Sequence, residues 1–147
     1  MTLLHSVCRS KTAVRFLAAL LFLAGTAALA QDEPQVAKAE AAAQTWLALA
    51  DSGDYAQNWD QSSSLFQASI SKAMWAGALG NARQPLGKVM SRKVKTAVFK
   101  RSLPGAPDGE YVVIQYATQF EHHTATETVT PMLDKDGSWR VSGYFIN

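Results

Sequence analysis

The chain has 147 residues, 48% of them hydrophobic and 18% charged, a composition that excludes a disordered chain and a length that accommodates one domain. Its formal net charge is +2, but Arg9, Lys11 and Arg15 stand at the start while all twelve acidic residues lie after position 30. Past that point the balance is slightly acidic, which removes global positive charge as an argument for nucleic acid.

Arg9, Lys11 and Arg15 form a basic stretch, an apolar run follows at 16–23, and Ala28-Leu29-Ala30 supplies a small-x-small tripeptide. That is the order of a secretory signal peptide. Residues 1–30 are therefore expected to be removed, leaving a periplasmic or secreted protein with no transmembrane segment. The alternative is a membrane anchor, but the apolar stretch at 13–30 is short and is interrupted by Arg15, Gly25 and Thr26. The one cysteine, Cys8, precedes the apolar run and leaves with it. What remains has no thiol for a disulfide, a thiolate zinc site or a cysteine nucleophile.

Residues 31–35 read as a short polar leader and 36–147 as a single domain. Val36, Ala39, Ala43, Trp46, Leu47 and Ala50 recur three and four apart among good helix formers, which predicts an amphipathic helix. Gly53 provides the left-handed residue that ends it, and Asp54 an acceptor for the free amides of a short second helix carrying Tyr55 and Trp59. A polar break at 61–64 follows. A third helix is predicted to start near Ser69 or Ser71, with Ile70, Met74, Trp75 and Leu79 on its apolar face. Residues 80–87, GNARQPLG, are rich in turn formers and read as the boundary between a helical and a strand half.

Beyond the boundary the period becomes 2. Residues 91–101 alternate, placing Val94, Thr96 and Val98 on one face and Lys93, Lys95, Ala97 and Phe99 on the other. The loop PGAPDG at 104–109 leads to a strand at 111–121 with Val112, Ile114, Tyr116, Thr118 and Phe120 on a common face. A turn at His122-His123 precedes a Thr- and Val-rich strand at 124–133. Asp134-Lys135-Asp136-Gly137 is a hairpin signal, and 138–146 closes the sheet, with Gly143 marking a bulge or bend. The fold class is α+β: N-terminal helices packed on a curved four-stranded antiparallel sheet.

This order, with DSGDYAQNW after the first helix and DGSWRVSGYFI at the close, resembles the cystatin-like fold of the nuclear-transport-factor-2-like superfamily. More narrowly, the segments WLALADSGDY, RQPLGKVMSRKVK, SLPGAPDGEYVVIQY and ETVTPMLDKDGSWRVSGYFI resemble the bacterial exported family known as domain of unknown function 4019, over residues 36–147. The resemblance implies a fold and an exported location. It implies no catalytic residue, since the superfamily contains both enzymes and binding domains.

Three sets of residues are candidates for function. His122-His123 invites a metal reading, but adjacent strand residues point to opposite faces and no third ligand of that kind follows the signal, so a solvated turn is expected and no metal or cofactor. Lys88, Arg92, Lys93, Lys95, Lys100 and Arg101 form a basic run suited to an anionic envelope surface, or to guarding a strand edge. Tyr55, Trp59, Trp75, Arg83, Tyr116, Glu127 and Tyr144 are the aromatic and charged residues able to reach a pocket between sheet and helices, with Asp60 at its mouth. Within that set, Glu127 with Tyr116 or Tyr144 is the one acid–base combination on neighbouring strands. No GxSxG, HExxH or phosphate-cradling glycine loop occurs. The expectation is a non-catalytic module that binds a small molecule or an envelope protein, with homodimerisation through the outer sheet face implied by fold analogy. The alternatives are an isomerase- or dehydratase-like enzyme and an envelope-surface adaptor.

Overall fold

The computed structural model describes residues 26–147; the basic and apolar parts of the expected signal peptide lie outside them. Four helices, α1 (Thr26–Ser52), α2 (Tyr55–Asp60), α3 (Ser64–Ser69) and α4 (Lys72–Arg83), are followed by a 3-10 turn at Gln84–Leu86. Four strands complete the chain: β1 (Val89–Lys100), β2 (Tyr111–Phe120), β3 (Thr124–Leu133) and β4 (Trp139–Ile146). The strands form one open antiparallel sheet in the order β1-β2-β3-β4, so the class is α+β as expected.

The helix starts follow from local chemistry. Asp54 accepts from the Gln57 amide, Ser63 from that of Phe66 and Ser71 from that of Met74, so each helix after α1 has a side-chain cap at its N-terminus. Two expectations need correction. The polar break at 61–64 leads into α3, because Ser63 caps it and Asp134 on the β3–β4 turn accepts from Ser64 N at 2.7 Å and Ser64 Oγ at 2.6 Å. Residues 80–83, expected as loop, continue α4, whose Leu79 and Arg83 are buried on its inner face. The 31–35 segment lies within α1. It is held by Gln35, whose Oε1 accepts from Trp139 Nε1 at 3.3 Å.

On α1, Ala39, Ala43, Trp46, Leu47 and Ala50 are buried, and the alanines let the helix approach the sheet closely. Val112, Ile114, Tyr116, Thr118 and Phe120 of β2 are all buried on the sheet's inner face, as alternation requires. β1 breaks its expected alternation. Its pairing with β2 slips between Val89 and Ser91 and again between Val94 and Thr96, so Met90 and Lys95 are extra residues. Arg92 and Val94 share the inner face before the second bulge, and Ala97 and Phe99 take it afterwards. A similar slip, where Thr130 pairs with Gly143 and Pro131 with Val141, places a bulge at Ser142 beside the glycine that marked it.

Gly87 joins the 3-10 turn to β1 at φ 77°, ψ −162°, a region open almost only to glycine. A Cβ there would lie 2.8 Å from Glu121 Cβ. Gly87→Ala is expected to cost about 1–3 kcal/mol in urea unfolding. Gly53→Ala, also at positive φ but with nothing within 4 Å of the added carbon, should cost about 1–2 kcal/mol, from the left-handed backbone alone.

Candidate functional site

Strand pairing brings a polar stripe together on an otherwise apolar face. Arg92 stands opposite Thr118, and Tyr116 opposite Glu127. β3 is an interior strand, so Glu127 is not a solvated edge residue: it is 0% exposed. A bare carboxylate could not be held there, and its partners arrive from three strands and a helix. Thr118 Oγ1 and Tyr144 Oη each donate to it at 2.5 Å. Arg92 donates through Nε at 2.6 Å and Nη2 at 3.2 Å, and Arg83 of α4 through Nη1 at 3.3 Å. Five hydrogen bonds use the acceptor capacity of both oxygens.

The two guanidinium groups share a second acceptor. Asp51, in the last turn of α1, receives Arg92 Nη1 at 2.8 Å and Nη2 at 2.9 Å and a short contact from Arg83 Nη2. Arg83 also donates to Tyr144 Oη at 2.9 Å and lies over the Phe120 ring. Two cations and two carboxylates balance, so the cluster is formally neutral. It ties α1 and α4 to β1, β3 and β4 at one point.

Burial opposes the charge on Arg92, but its hydrogen bonds to Asp51 and Glu127 outweigh that and raise its pKa above the ordinary arginine value. Burial and then the Glu127 charge keep the Tyr144 phenol protonated far above its usual 10.0. Burial and the charge of Glu40 push Tyr116 up to about 12. Burial also raises Tyr111, followed by the charge of Asp108. An unfolded chain loses these protons near pH 10, whereas the folded one keeps them. The stability associated with them is therefore complete below pH 10 and falls, by up to about 1.4 kcal/mol per pH unit for each tyrosine, until the folded phenols ionise. Urea unfolding across the alkaline range is expected to show that decline, and Tyr144→Phe should make it shallower.

The remaining pocket candidates are engaged with one another. Trp75 packs edge-on to Phe66 at 4.8 Å and donates through Nε1 to the buried Asn58, whose Nδ2 donates to the Trp46 carbonyl. Trp46 lies 5.9 Å from Trp75 and 5.2 Å from Tyr144 between ring centroids. Trp59 donates to the Ile70 carbonyl and carries Lys72 over its ring, while Tyr55 packs at the margin of the core. Asp60 is paired with Lys72. Tyr116 does not reach Glu127 with its hydroxyl, which is buried without a hydrogen-bond partner among the described residues.

In the basic run, Arg92 turns inward into the cluster and leaves the surface set, because the bulge at Lys95 keeps it on the inner face. Lys88, Lys93, Lys95, Lys100 and Arg101 are exposed. Arg101 lies over Phe99 and 3.9 Å from Asp32. Lys93 and Lys95 do not share a strand face as expected, since Lys95 is the bulge residue. Asp51 was not anticipated from the sequence, and Thr118 only as a core position. A hydroxyl on a face otherwise made of Val, Ile, Tyr and Phe was the available signal that something polar had to meet it.

Two open depressions mark the surface of the described residues. One of about 390 Å³ lies between α2, α3 and the β3–β4 turn and is lined by Asp60, Gln67, Asp134 and Arg140 among others. The other, of about 550 Å³, runs between α1 and β1, with Val36, Ala37, Ala97, Val98 and Phe99 as its apolar lining and Asp32, Glu33 and Glu40 at its acidic rim. Among the described residues no group of three or more His, Cys, Asp or Glu side chains is placed to hold a metal ion, and no helix is long and apolar enough to cross a membrane.

Residues 42–144 match the model of a family described as "Protein of unknown function (DUF4019)". No curated protein and no solved structure matches the chain.

Proposed function

We propose, for a chain that belongs to the DUF4019 family, the role of an exported, non-catalytic interaction module of the cell envelope. One observation carries this reading: the inward carboxylate, Glu127, is fully buried and saturated by Arg83, Arg92, Thr118 and Tyr144, between aromatic side chains that pack on one another. A general acid or base must exchange a proton with substrate or water. Glu127 has neither a free lone pair nor a path to either, so recognition falls to the surface. A cystatin-like arrangement of the helices on the sheet belongs to the same reading.

Export is supported by the signal-like order of residues 1–30 and by Pro34. Cleavage after Ala30 would leave Pro34 in the first turn of α1, where a backbone N–H has no intrahelical partner to lose. Homodimerisation through the outer sheet face is supported by Phe145, 65% exposed, paired across from Thr128. The chain expressed from its full sequence in a bacterial host should be recovered from the envelope or medium with Gln31 as its first residue. Native mass spectrometry should show two copies or a bound protein. A stoichiometric small molecule in the interior, or an intact N-terminus in the cytoplasm, would overturn the proposal.

A second reading, attachment to an anionic envelope surface, rests on Lys88, Lys93, Lys95 and Lys100, which are exposed and carry no ion pair among the described residues. Binding to anionic vesicles should then weaken steeply with salt. Absent or salt-insensitive binding excludes it.

A further inference from the structure

β1 pairs only with β2, so its other side is a free edge of the sheet. Bulges at Met90 and Lys95 interrupt its first part, but from Thr96 to Lys100 it pairs regularly with Gln115 to Tyr111. This regular part borders the groove along α1, with Ala97, Val98 and Phe99 in its lining. One exposed valine stands on each face of the sheet at this edge: Val94, on the inner face opposite Tyr116, is 46% exposed, and Val98, on the outer face, is 43% exposed. Helix α1 covers Ala97 and Phe99 but leaves Val94 open, so the inner face runs beyond the helix that roofs it. Behind Val94, the Tyr116 hydroxyl is buried without a partner and feels the charge of Glu40 on the groove rim.

A fifth strand laid along β1 would cover Val94 and Val98 together and satisfy the free backbone groups of the edge. Charge decides which strand. On the outer face it would meet Lys93 and Lys100, whose register partners are Ala117 and Tyr111. On the inner face it would meet the acidic rim of α1. A second copy pairing β1 to β1 would set these lysines against each other, which is how edge lysines prevent self-association. The complementary partner is a strand with acidic side chains outward and apolar and basic side chains inward.

We propose that the groove between α1 and β1 is a peptide site that takes an extended segment of a partner protein as a fifth strand, acidic on its outward face and apolar-basic on its inward face. This rests on the reading of the chain as an interaction module and names the chemistry of its partner.

The test uses the mature protein recovered after full-length expression and two fluorescein-labelled peptides of about nine residues. One alternates glutamate with valine and carries lysine at the central inward position; the other exchanges the two charges. Fluorescence anisotropy should show the first binding about tenfold or more tightly than the second. Backbone amide exchange should slow within 96–100. Glu40→Lys and Lys100→Glu, both at sites outside the Glu127 cluster, should each weaken the first peptide about tenfold with an unchanged urea midpoint. Equal or absent binding of the two peptides, protection elsewhere, indifference to both substitutions, or self-association through β1 overturns the inference. A protein recovered with the chain but mapped away from β1 overturns this site alone. A small molecule in the interior overturns the interaction-module reading itself.

Discussion

Glu127→Ala is expected to lower the unfolding free energy by about 3–5 kcal/mol, a large share of the 5–15 kcal/mol typical of a domain. The cause is what the truncation leaves behind. Arg83 and Arg92 are both buried in the network, with side chains 6% and 15% exposed, and Glu127 is the acceptor that faces them from the sheet. Without it, two guanidinium groups share Asp51 alone, and Thr118 and Tyr144 lose their acceptor. Asp51→Ala should cost less, because Asp51 is 29% exposed and water can replace part of what is lost. A combined Arg83→Met, Arg92→Met, Glu127→Leu variant should be less destabilised than Glu127→Ala, since it removes both buried guanidinium groups with their acceptor and leaves only Asp51, which water can reach, without a partner. Urea unfolding of the three variants, with exposed Lys93→Ala as a control within about 0.5 kcal/mol, decides the matter. A loss below about 1 kcal/mol for Glu127→Ala would show that water enters the cluster.

Trp46→Ala is expected to cost a comparable 3–5 kcal/mol by a different mechanism. Trp46 is 1% exposed, meets Trp75 and Tyr144 ring to ring, and donates through Nε1 to Ser62 Oγ at 2.8 Å. Truncation removes apolar burial and opens a void that helices tied to the sheet by the Glu127 cluster can close only in part. The variant should also acquire an apolar cavity that takes up a small aromatic such as benzene. The same titration on the unmodified protein should show no uptake. Saturable benzene binding by the native chain would mean that its aromatic core already contains a ligand-sized space, and the reading of the interior as filled would fail.

The elements themselves were largely legible along the chain. Caps at Asp54 and Ser71, the glycine after α1, the alternation of β2 and the Asp-Gly hairpin each depend on residues a few positions apart. The short helix α3 was not legible. Six residues carry too little periodicity to register, and its first turn is held by Asp134, seventy positions along the chain. Basic residues around β1 read as one run, but the bulge at Lys95 divides them, sending Arg92 into the interior and leaving lysines outside. Glu127 and Tyr144 could be named as a pair, whereas their joint enclosure by Arg83, Arg92 and Thr118 could not.

By itself, then, the sequence determined the α+β class, the order of helices before strands and the family to which the chain belongs. These rest on local periodicity, capping and turn chemistry, which act between near neighbours. Only the tertiary structure decided that Glu127 is fully buried and that both its oxygens accept hydrogen bonds from Arg83, Arg92, Thr118 and Tyr144. It also decided that Arg92 turns inward to Glu127 and Asp51 and that β1 leaves an open edge beside α1. Those outcomes depend on which strands pair, in what register and with which bulges, and one extra residue in a strand exchanges the faces of all that follow.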